Sequence, residues 1–207
     1  PKSINNLSLL MPKEIVFNTN LETNILKFTY YGNKYVINTK YSKDLVEFYK
    51  SFPQSDFKIY FEAENSKYLS NSVLKSLQDL IKNMTEIEAA NFILRFTQKA
   101  FKYKTDPDQF GYEKPMFPEE MLYYPYSDCE DRAVMFSYLI ENLLGLDVVG
   151  VKYSDHLATA VSFNSKINGD SFRHNNKTYI ISDPTYINAN IGMAMRKYKN
   201  SKFEIIE

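Results

Sequence analysis

The sequence predicts an α+β fold, in which helices and an antiparallel sheet come from separate stretches of the chain. Apolar residues alternate along residues 25–41 and again within residues 147–182, which is the period-2 pattern of strands. Between them, residues 70–103 carry apolar residues at helical spacing. A chain of 207 residues is long enough to bury one substantial core, with room for a small accessory unit.

The accessory unit is predicted at the N-terminus, where residues 1–65 read as a small β-rich subdomain. Within it, residues 25–41 are typical of a β-hairpin that turns at Gly32-Asn33. Residues 42–52 have helical spacing, and strand character returns in DFKIYFEA, residues 56–63.

The remainder, residues 66–207, is predicted to form the main domain, and it opens with two helices. The stretches are SNSVLKSLQDLIKNM (70–84), in which Leu74, Leu77, Leu80 and Ile81 form one apolar stripe, and TEIEAANFILRFTQKAFKY (85–103). The second begins with a T-x-x-E capping box formed by Thr85 and Glu88, which marks a helix start.

A long irregular connection is predicted next, over residues 104–126, which are rich in proline and aromatic residues. Connections of this length in compact domains are usually functional, so we interpret it as one wall of a cleft. The stretch DPDQFGYE within it superficially resembles a calcium loop. Pro107 and the missing later ligands argue against such a loop, so no metal and no other cofactor is predicted.

The only cysteine, Cys129, is predicted to lie in the first turn of a buried helix. Ser127 and Glu130 read as an S-x-x-E capping box, with Ser127 at the N-cap, and Gly145 is placed to end the helix. A helix N-terminus favours a thiolate and can hold an oxyanion, whereas Glu130 and Asp131 raise a thiol pKa. A lone cysteine is equally compatible with a small buried core residue.

Two histidines are candidates for the base that a reactive thiol needs. His174 lies in the polar hairpin FRHNNK and is expected to be solvated. His156 opens the strand HLATAVSF, where alternation places it on one face with the small residues Ala158, Ala160 and Ser162. We expect the cysteine helix to pack closely on that face and to bring its N-terminus near the imidazole.

Asp183, at the end of the strand-like stretch YIIS, is the candidate acid that orients this histidine. If residues 157–163 and 178–182 pair antiparallel, the start of the first strand lies beside the end of the second, and His156 and Asp183 are neighbours. A strand from residues 169–174 inserted between them would separate the two side chains. An ordinary Asp-Pro turn is the alternative interpretation of Asp183.

Three blocks, SDCEDRAVMFSYLIENLLGLDVVGV, HLATAVSF and YIISDPTY, resemble the transglutaminase-like branch of the papain-like superfamily. The resemblance covers roughly residues 87–195 and implies a cysteine on the N-terminus of a central helix packed on an antiparallel sheet. Carried over residue by residue, it implies Cys129 as nucleophile, His156 as general base and Asp183 as orienting acid. It makes residues 66–207 a transglutaminase-like catalytic domain and does not extend to the N-terminal subdomain.

The chain departs from the family pattern at positions where members often have tryptophan or glycine. Ala158 stands two residues after the histidine, Tyr179 stands before the Asp-Pro, and Ser127 stands before the cysteine. With no tryptophan in the chain, the water-excluding tunnel of transglutaminases is not expected. The candidates for a more open cleft wall and for an oxyanion donor are Tyr123, Tyr124, Tyr126 and Tyr179.

The resemblance implies a thiol-dependent hydrolase that cleaves peptide or amide bonds of a peptide or protein substrate through a thioester acyl-enzyme. An acyl transferase that cross-links proteins and a non-catalytic peptide-binding module are the alternatives. The 25 basic and 25 acidic residues balance, so no net field favours nucleic acid or an anionic membrane as partner. The sequence predicts no membrane span and leaves the oligomeric state open.

The compartment also stays open at this level. The chain begins with Pro1 and ends in the strand-like KFEIIE, so a trimmed form is expected, and no signal peptide is recognisable. A single cysteine cannot form an internal disulfide, which is compatible with either redox environment. Both an exported or periplasmic protein with its signal removed and a cytoplasmic protein fit the sequence.

Overall fold

A computed structural model describes residues 20–207, which form a mixed α+β structure with an antiparallel sheet. Residues 1–19 of the predicted N-terminal subdomain lie outside the described residues. The helices are α1 (Lys43–Lys50), α2 (Phe57–Glu62), α3 (Lys67–Leu69), a π-helical turn (Ser70–Leu74), α4 (Lys75–Ile81), α5 (Glu86–Ala100), α6 (Asp106–Phe110), α7 (Pro118–Tyr123), α8 (Cys129–Leu144) and a 3-10 turn (Arg196–Tyr198). The strands are β1 (Leu21–Tyr30), β2 (Asn33–Ser42), β3 (Lys102–Tyr103), β4 (Tyr126–Ser127), β5 (Asp147–Lys152), β6 (Leu157–Ser162), β7 (Ser171–His174), β8 (Lys177–Ser182) and β9 (Glu204–Ile206).

The predicted N-terminal hairpin is confirmed, but its turn lies one residue earlier than expected. β1 and β2 pair antiparallel with Leu26 opposite Ile37, and both side chains are buried. This pairing places the turn at Tyr31-Gly32, both with positive φ, instead of at Gly32-Asn33. The register therefore follows from which side chains face the core, since a slip of one residue would turn them to solvent.

The strand predicted over residues 56–63 is wrong, because these residues form α2. The Asp56 carboxylate accepts a hydrogen bond from the Lys58 N–H at 2.9 Å and caps the helix. Helical spacing lets Phe61 reach the buried cluster around Leu157, while the Tyr60 ring packs on the Phe117 ring with 4.6 Å between their centroids. An alternating pattern this short fits both structures, and the cap together with the packing selects the helix.

The other predicted helices before the cysteine are confirmed. α1 occupies most of residues 42–52, and the run over residues 70–84 becomes a π-helical turn followed by α4. α5 begins at the predicted capping box, where the Thr85 N–H donates to Glu88 Oε2 at 2.9 Å.

The irregular connection predicted over residues 104–126 is only partly correct, because it contains α6 and α7. Pro107 and Pro118 lie in the first turns of these helices, where the missing proline N–H has no helical partner in any case. Prolines that read as loop signals therefore mark helix starts. Several side chains of this segment, such as Met121, belong to the main hydrophobic core.

The five-stranded sheet has the order β7-β8-β6-β5-β9, and all its neighbouring strands are antiparallel. β6 pairs with β8 as predicted, with Thr159 opposite Ser182. β7 is a strand, but it lies on the outer edge of β8 and does not separate β8 from β6. The β7–β8 hairpin turns at Asn175-Asn176, as the sequence predicts.

The face of β6 that meets helix α8 is the opposite of the one expected from the small residues. Leu157 packs with Ala133 of α8, and Val161 lies in the same hydrophobic cluster as the middle of that helix. The face that carries Ala158 and Ala160 packs in a separate cluster that includes Tyr153 and Tyr198. The small side chains thus leave room for aromatic rings instead of a helix.

The hairpin β1–β2 packs on α5. The Phe28 ring lies 5.3 Å from Phe92 and 5.4 Å from Phe96, both in edge-on geometry. Leu26 and Ile37 belong to the same hydrophobic cluster as the buried residues of α5 and α8. The division of the chain at residue 65 stays a prediction. Among the described residues, no helix combines the length and the apolar character needed to cross a bilayer.

Two glycines provide a test of the close packing beside the sheet. A Cβ added at Gly169 would lie 2.4 Å from the Gly192 Cα, so we expect Gly169→Ala to force these two loops apart. Gly145→Ala is the matched control, because Gly145 also has positive φ but nothing lies within 4 Å of the added Cβ. The control should lose about 1–2 kcal/mol of unfolding free energy from backbone strain.

Denaturant unfolding should show a loss for Gly169→Ala at least about twice that of the control, since overpacking adds about 1–3 kcal/mol. Equal losses for the two variants would contradict the close approach of the loops.

Candidate active site

His156 and Asp183 are in direct contact. His156 Nε2 and Asp183 Oδ2 lie 2.9 Å apart, and the two side chains are 6% and 2% exposed. His156 immediately precedes β6 and Asp183 immediately follows β8, so the antiparallel pairing of these strands brings them together.

The Asp183 carboxylate is held on its other oxygen by the turn that follows it. Oδ1 accepts hydrogen bonds from the N–H groups of Thr185 at 2.9 Å and Tyr186 at 3.1 Å. The Asp-Pro turn and the contact with the histidine therefore coexist, because each uses a different oxygen of one carboxylate.

Gln98 of α5 anchors the same turn, and sequence reasoning missed it. Its buried side-chain NH₂ donates to the carbonyl oxygens of Asp183, Tyr186 and Ala189 at 2.9–3.2 Å. Its Oε1 accepts from the Asn188 N–H at 3.2 Å. The only signal in the sequence was a polar residue that continues the apolar stripe of Ala90 and Leu94 at helical spacing, which does not say what the residue contacts.

The imidazole of His156 is also fixed by stacking. Its ring lies 5.1 Å from that of Tyr198 with an interplanar angle of 4°, and the Tyr198 hydroxyl donates to Asp155 at 3.0 Å. Tyr198 lies in the C-terminal part of the chain and was not a predicted site residue. Because Nε2 faces Asp183, Nδ1 is the ring nitrogen left for another partner.

Cys129 is the first residue of α8, and the helix is capped one position later than predicted. Asp128 is the N-cap, and its N–H donates to Asp131 Oδ2 at 3.0 Å. The assignment of Ser127 and Glu130 to a capping box is therefore wrong. Ser127 belongs to β4, where it pairs with β3, so its backbone continues a strand instead of starting the helix.

Ser127 and the helix side chain Arg132 have a different structural role. Arg132 Nε donates to Ser127 Oγ at 3.2 Å, and Arg132 Nη2 donates to the Phe101 carbonyl oxygen at 2.8 Å. Phe101 is the C-cap of α5, so the buried guanidinium ties the start of α8 to the end of α5.

The Cys129 thiol is partly buried and donates a hydrogen bond to Glu130 Oε2 at 2.7 Å. Burial raises the thiol pKa above its ordinary value, and the charge and hydrogen bond of Glu130 raise it further. A backbone hydrogen bond from Leu157 favours the thiolate and opposes this rise. Of the two opposing effects that the sequence predicts for this thiol, the raising effect of Glu130 is the larger in the structure, and burial adds to it.

Cys129 and His156 line one open cavity of about 270 Å³. Cys129 and His156 therefore face the same space, and Asp183 contacts the imidazole from outside the cavity lining. The rest of its wall is formed by Phe57, Glu113, Glu130, Lys152, Tyr153, Ser154, Asp155 and Leu157.

None of the four tyrosines proposed for the cleft lines this cavity, so that interpretation is wrong. Each contacts another part of the molecule: Tyr123 contacts Lys50 and Tyr41, Tyr124 contacts Phe110, Tyr126 faces Lys104, and Tyr179 stacks on Phe172. The aromatic side chains of the cavity are Phe57 and Tyr153, and segment 104–126 contributes only Glu113. The other histidine, His174, is not simply solvated, because it pairs with Glu207.

Acidic side chains converge behind the thiol, which the sequence did not predict. Carboxylate oxygens of Asp106, Asp128 and Asp131 lie within 4.8 Å of one another, and all three residues are buried. Burial raises the pKa of Asp106 to about 6, although the Lys114 N–H hydrogen bond opposes the rise. Burial and the charge of Asp131 raise the pKa of Asp128 to about 10.

Comparison with known proteins assigns no family to this arrangement. No protein-family model matches the chain, and no curated protein is significantly similar to it. The transglutaminase-like resemblance therefore stays a prediction from three sequence blocks.

The raised pKa of Asp106 predicts a pH-dependent stability. Its pKa is about 6 in the folded protein against an ordinary 3.8, so the folded state holds this proton more tightly than the unfolded state. The contribution of Asp106 to the free energy of unfolding is therefore present at low pH and is lost as pH rises through the window from about 4 to 6.

The unfolding free energy should fall between pH 4.5 and 7 by about 1–3 kcal/mol more in the unmodified protein than in Asp106→Asn. Asp108→Asn, on the exposed side of the same short helix, is the control and should keep the full fall. Parallel pH profiles for Asp106→Asn and the unmodified protein would rule out this titration.

Proposed function

We propose that the protein is a thiol-dependent hydrolase of peptide or amide bonds, with Cys129, His156 and Asp183 as its catalytic groups. One observation carries the proposal: the thiol and the imidazole line a single cavity, while the imidazole contacts a buried carboxylate at 2.9 Å. A nucleophile, a base and a group that orients the base are the parts that thiol catalysis needs. The cavity is open, so a substrate carbonyl has access to the thiol.

A transglutaminase-like core is part of the same proposal. In its favour, Cys129 begins a helix that packs on an antiparallel sheet through Leu157. The histidine stands at the start of one strand and the aspartate at the end of its neighbour, in the order of the resembling blocks. The alternative, in which Cys129 is only a small core residue, does not account for a histidine that lines the same cavity and is paired with a buried aspartate.

In the proposed reaction, the thiol proton passes to His156 Nδ1 and the thiolate attacks the substrate carbonyl carbon. Asp183 on Nε2 fixes the tautomer and stabilises the imidazolium that forms. The imidazolium then protonates the leaving amine as the carbon–nitrogen bond breaks, which leaves a thioester on Cys129. Water, deprotonated by the neutral imidazole, hydrolyses the thioester and restores the thiol.

The oxyanion of the tetrahedral intermediate needs a hydrogen-bond donor close to the sulfur. The backbone N–H of Cys129 is our candidate, because N–H groups in the first turn of a helix have no helical partner. Tyr123 and Tyr126, the side-chain candidates from the sequence, do not line the cavity.

Glu130 competes with His156 for the thiol proton. Its Oε2 is the acceptor of the thiol hydrogen bond, so the thiol has to turn from Glu130 to the imidazole before it reacts. Glu130 also raises the thiol pKa, which lowers the fraction of thiolate at neutral pH.

The first test is labelling of the thiol with an alkylating probe at pH 6–7. Cys129 is the only cysteine, so any thiol adduct found by mass spectrometry reports on it. We expect His156→Ala to slow labelling at least about 10-fold, because a general base contributes about 10²–10⁴-fold. His174→Ala, at the second histidine, is the matched control and should label at the unmodified rate. Equal rates for the unmodified protein and His156→Ala would overturn the catalytic role of the pair.

Acyl transfer is the second candidate, and the acids of the cavity favour it. Glu113 and Glu130 line the same wall as the thiol, and their charges attract a protonated amine. An amine that enters in place of water and loses its proton to the neutral imidazole would attack the thioester carbonyl, form a new amide bond and release the Cys129 thiolate, which the imidazolium then protonates.

A glutamine-containing peptide, incubated with and without a primary amine, separates the two reactions. Hydrolysis predicts release of ammonia and a free carboxylate at a rate that the amine does not change. Transfer predicts an amine adduct that increases with amine concentration. Thiol labelling that depends on His156, without turnover of this peptide, would point to peptide-bond substrates instead of glutamine side chains.

A further inference from the structure

The His156 imidazole is held by one hydrogen bond and by two aromatic rings. Among the described residues, its only hydrogen bond joins Nε2 to Asp183 Oδ2 at 2.9 Å. A ring held at one atom can still rotate about that contact, so this hydrogen bond alone does not fix the plane of the imidazole. Packing fixes the plane: the Tyr198 ring lies 5.1 Å away at an interplanar angle of 4°, and the Tyr153 ring lies 6.4 Å away at 12°.

Tyr198 is itself held in place beside the imidazole. Its hydroxyl donates to Asp155 Oδ1 at 3.0 Å, and Lys197 Nζ donates to the other oxygen of the same carboxylate at 3.0 Å. The hydrogen bonds from Lys197 and Tyr198 lower the pKa of Asp155, so this acceptor stays ionised. The Tyr153 ring lies 4.3 Å from the Tyr198 ring at an angle of 16°. Asp155 directly precedes His156, so the hydrogen bond ties the tyrosine to the segment that carries the base.

The chain segment that carries Tyr198 is anchored on both sides of it. Before it, the Ala194 N–H donates to Asp170 Oδ2 at 2.9 Å, and after it, Lys199 Nζ donates to Asp170 Oδ1 at 3.1 Å. Tyr198 is 6% exposed. The position of its ring is therefore set by the fold around it.

An aromatic face at this distance affects the two protonation states of the imidazole differently. The face of a tyrosine ring carries partial negative charge, which attracts a cation within about 6 Å of the ring centroid. The distance of 5.1 Å from His156 to Tyr198 lies within that range, so the contact favours the imidazolium over the neutral ring. Because the proposed reaction passes through an imidazolium, this preference acts on the reaction and not only on the resting protein.

We propose that Tyr198 is a positioning residue for the general base: its ring fixes the plane of the His156 imidazole and stabilises the imidazolium that forms when the thiol proton reaches Nδ1. The role in the reaction rests on the proposed hydrolase function, whereas the effect on the imidazole does not.

Other charged or titratable groups also surround the imidazole. They are Asp183 on Nε2, Lys197 against the Tyr198 ring and, in the wall of the cavity, Glu113, Cys129, Glu130, Lys152, Tyr153 and Asp155. Variants at Tyr198 keep all of these groups. Tyr198→Phe is the matched control, because it removes the hydrogen bond to Asp155 and keeps the aromatic face.

The first experiment follows protonation of the His156 ring by NMR in Cys129→Ala, so that its outcome does not depend on a catalytic thiol. The chain has two histidines, so His174 is an internal control, and His174→Ala assigns the signals. We expect half-protonation of His156 at a pH about 0.4–1.5 units lower in Tyr198→Leu than in Tyr198→Phe, because leucine has no aromatic face. The midpoint of His174 should be the same in both variants.

Pentafluorophenylalanine incorporated at position 198 keeps the test valid if Tyr198→Leu fails to fold. This side chain keeps the shape of phenylalanine but reverses the charge distribution of the ring face, so the His156 midpoint should again lie below that of Tyr198→Phe. A purely structural role of the ring would give these two shape-matched variants equal midpoints, and that result would overturn the proposal.

A second arm separates failure of this contact from failure of the proposed function. In the protein with Cys129 intact, Tyr198→Phe should label within about 2-fold of the unmodified rate, and Tyr198→Leu should label about 3–30-fold more slowly. A lowered midpoint without any change in labelling would keep the effect on the imidazole and overturn its role in the reaction. Labelling that is insensitive to His156→Ala as well would place the failure in the proposed function.

Discussion

The antiparallel pairing of β6 with β8 is the contact on which the candidate site depends. It places the start of one strand beside the end of the other, so His156 and Asp183 touch although they are distant along the chain. Helix α8 packs on the other face of β6 through Leu157, and this packing delivers Cys129 to the cavity that His156 lines. A slip of one residue in this register would turn every side chain of β6 to the opposite face and dismantle the arrangement.

Helix α5 is the common anchor of both halves of the site. Gln98, near its end, holds the turn after Asp183 through three carbonyl oxygens. The carbonyl of its C-cap, Phe101, accepts a hydrogen bond from Arg132 of the cysteine helix. Each buried polar group satisfies backbone oxygens that would otherwise be unpaired, so loss of either one leaves several acceptors without a donor. The geometry of the thiol, the imidazole and the carboxylate is therefore set by a helix that contributes none of them.

The electrostatics around Cys129 pull in opposite directions. The helix N-terminus and the Leu157 hydrogen bond favour a thiolate, whereas burial and Glu130 oppose it. A thiol that acts as a nucleophile here first has to leave its hydrogen bond to Glu130.

The sequence alone determined the features that depend on near neighbours along the chain. These include the α+β class, the N-terminal hairpin, the start of α5 at Thr85, the strands β5 to β8, and a cysteine in the first turn of a helix. Periodicity and capping are local properties, so a single sequence carries them. The tertiary structure decided which face of β6 meets α8 and that residues 56–63 form a helix instead of a strand. It also decided that Asp128 instead of Ser127 caps α8, and that the predicted tyrosines lie away from the cavity. It also brought Gln98 to Asp183 and Glu113 to Asp128. These outcomes follow from packing and hydrogen bonds between distant segments, and no local pattern encodes which distant groups will meet.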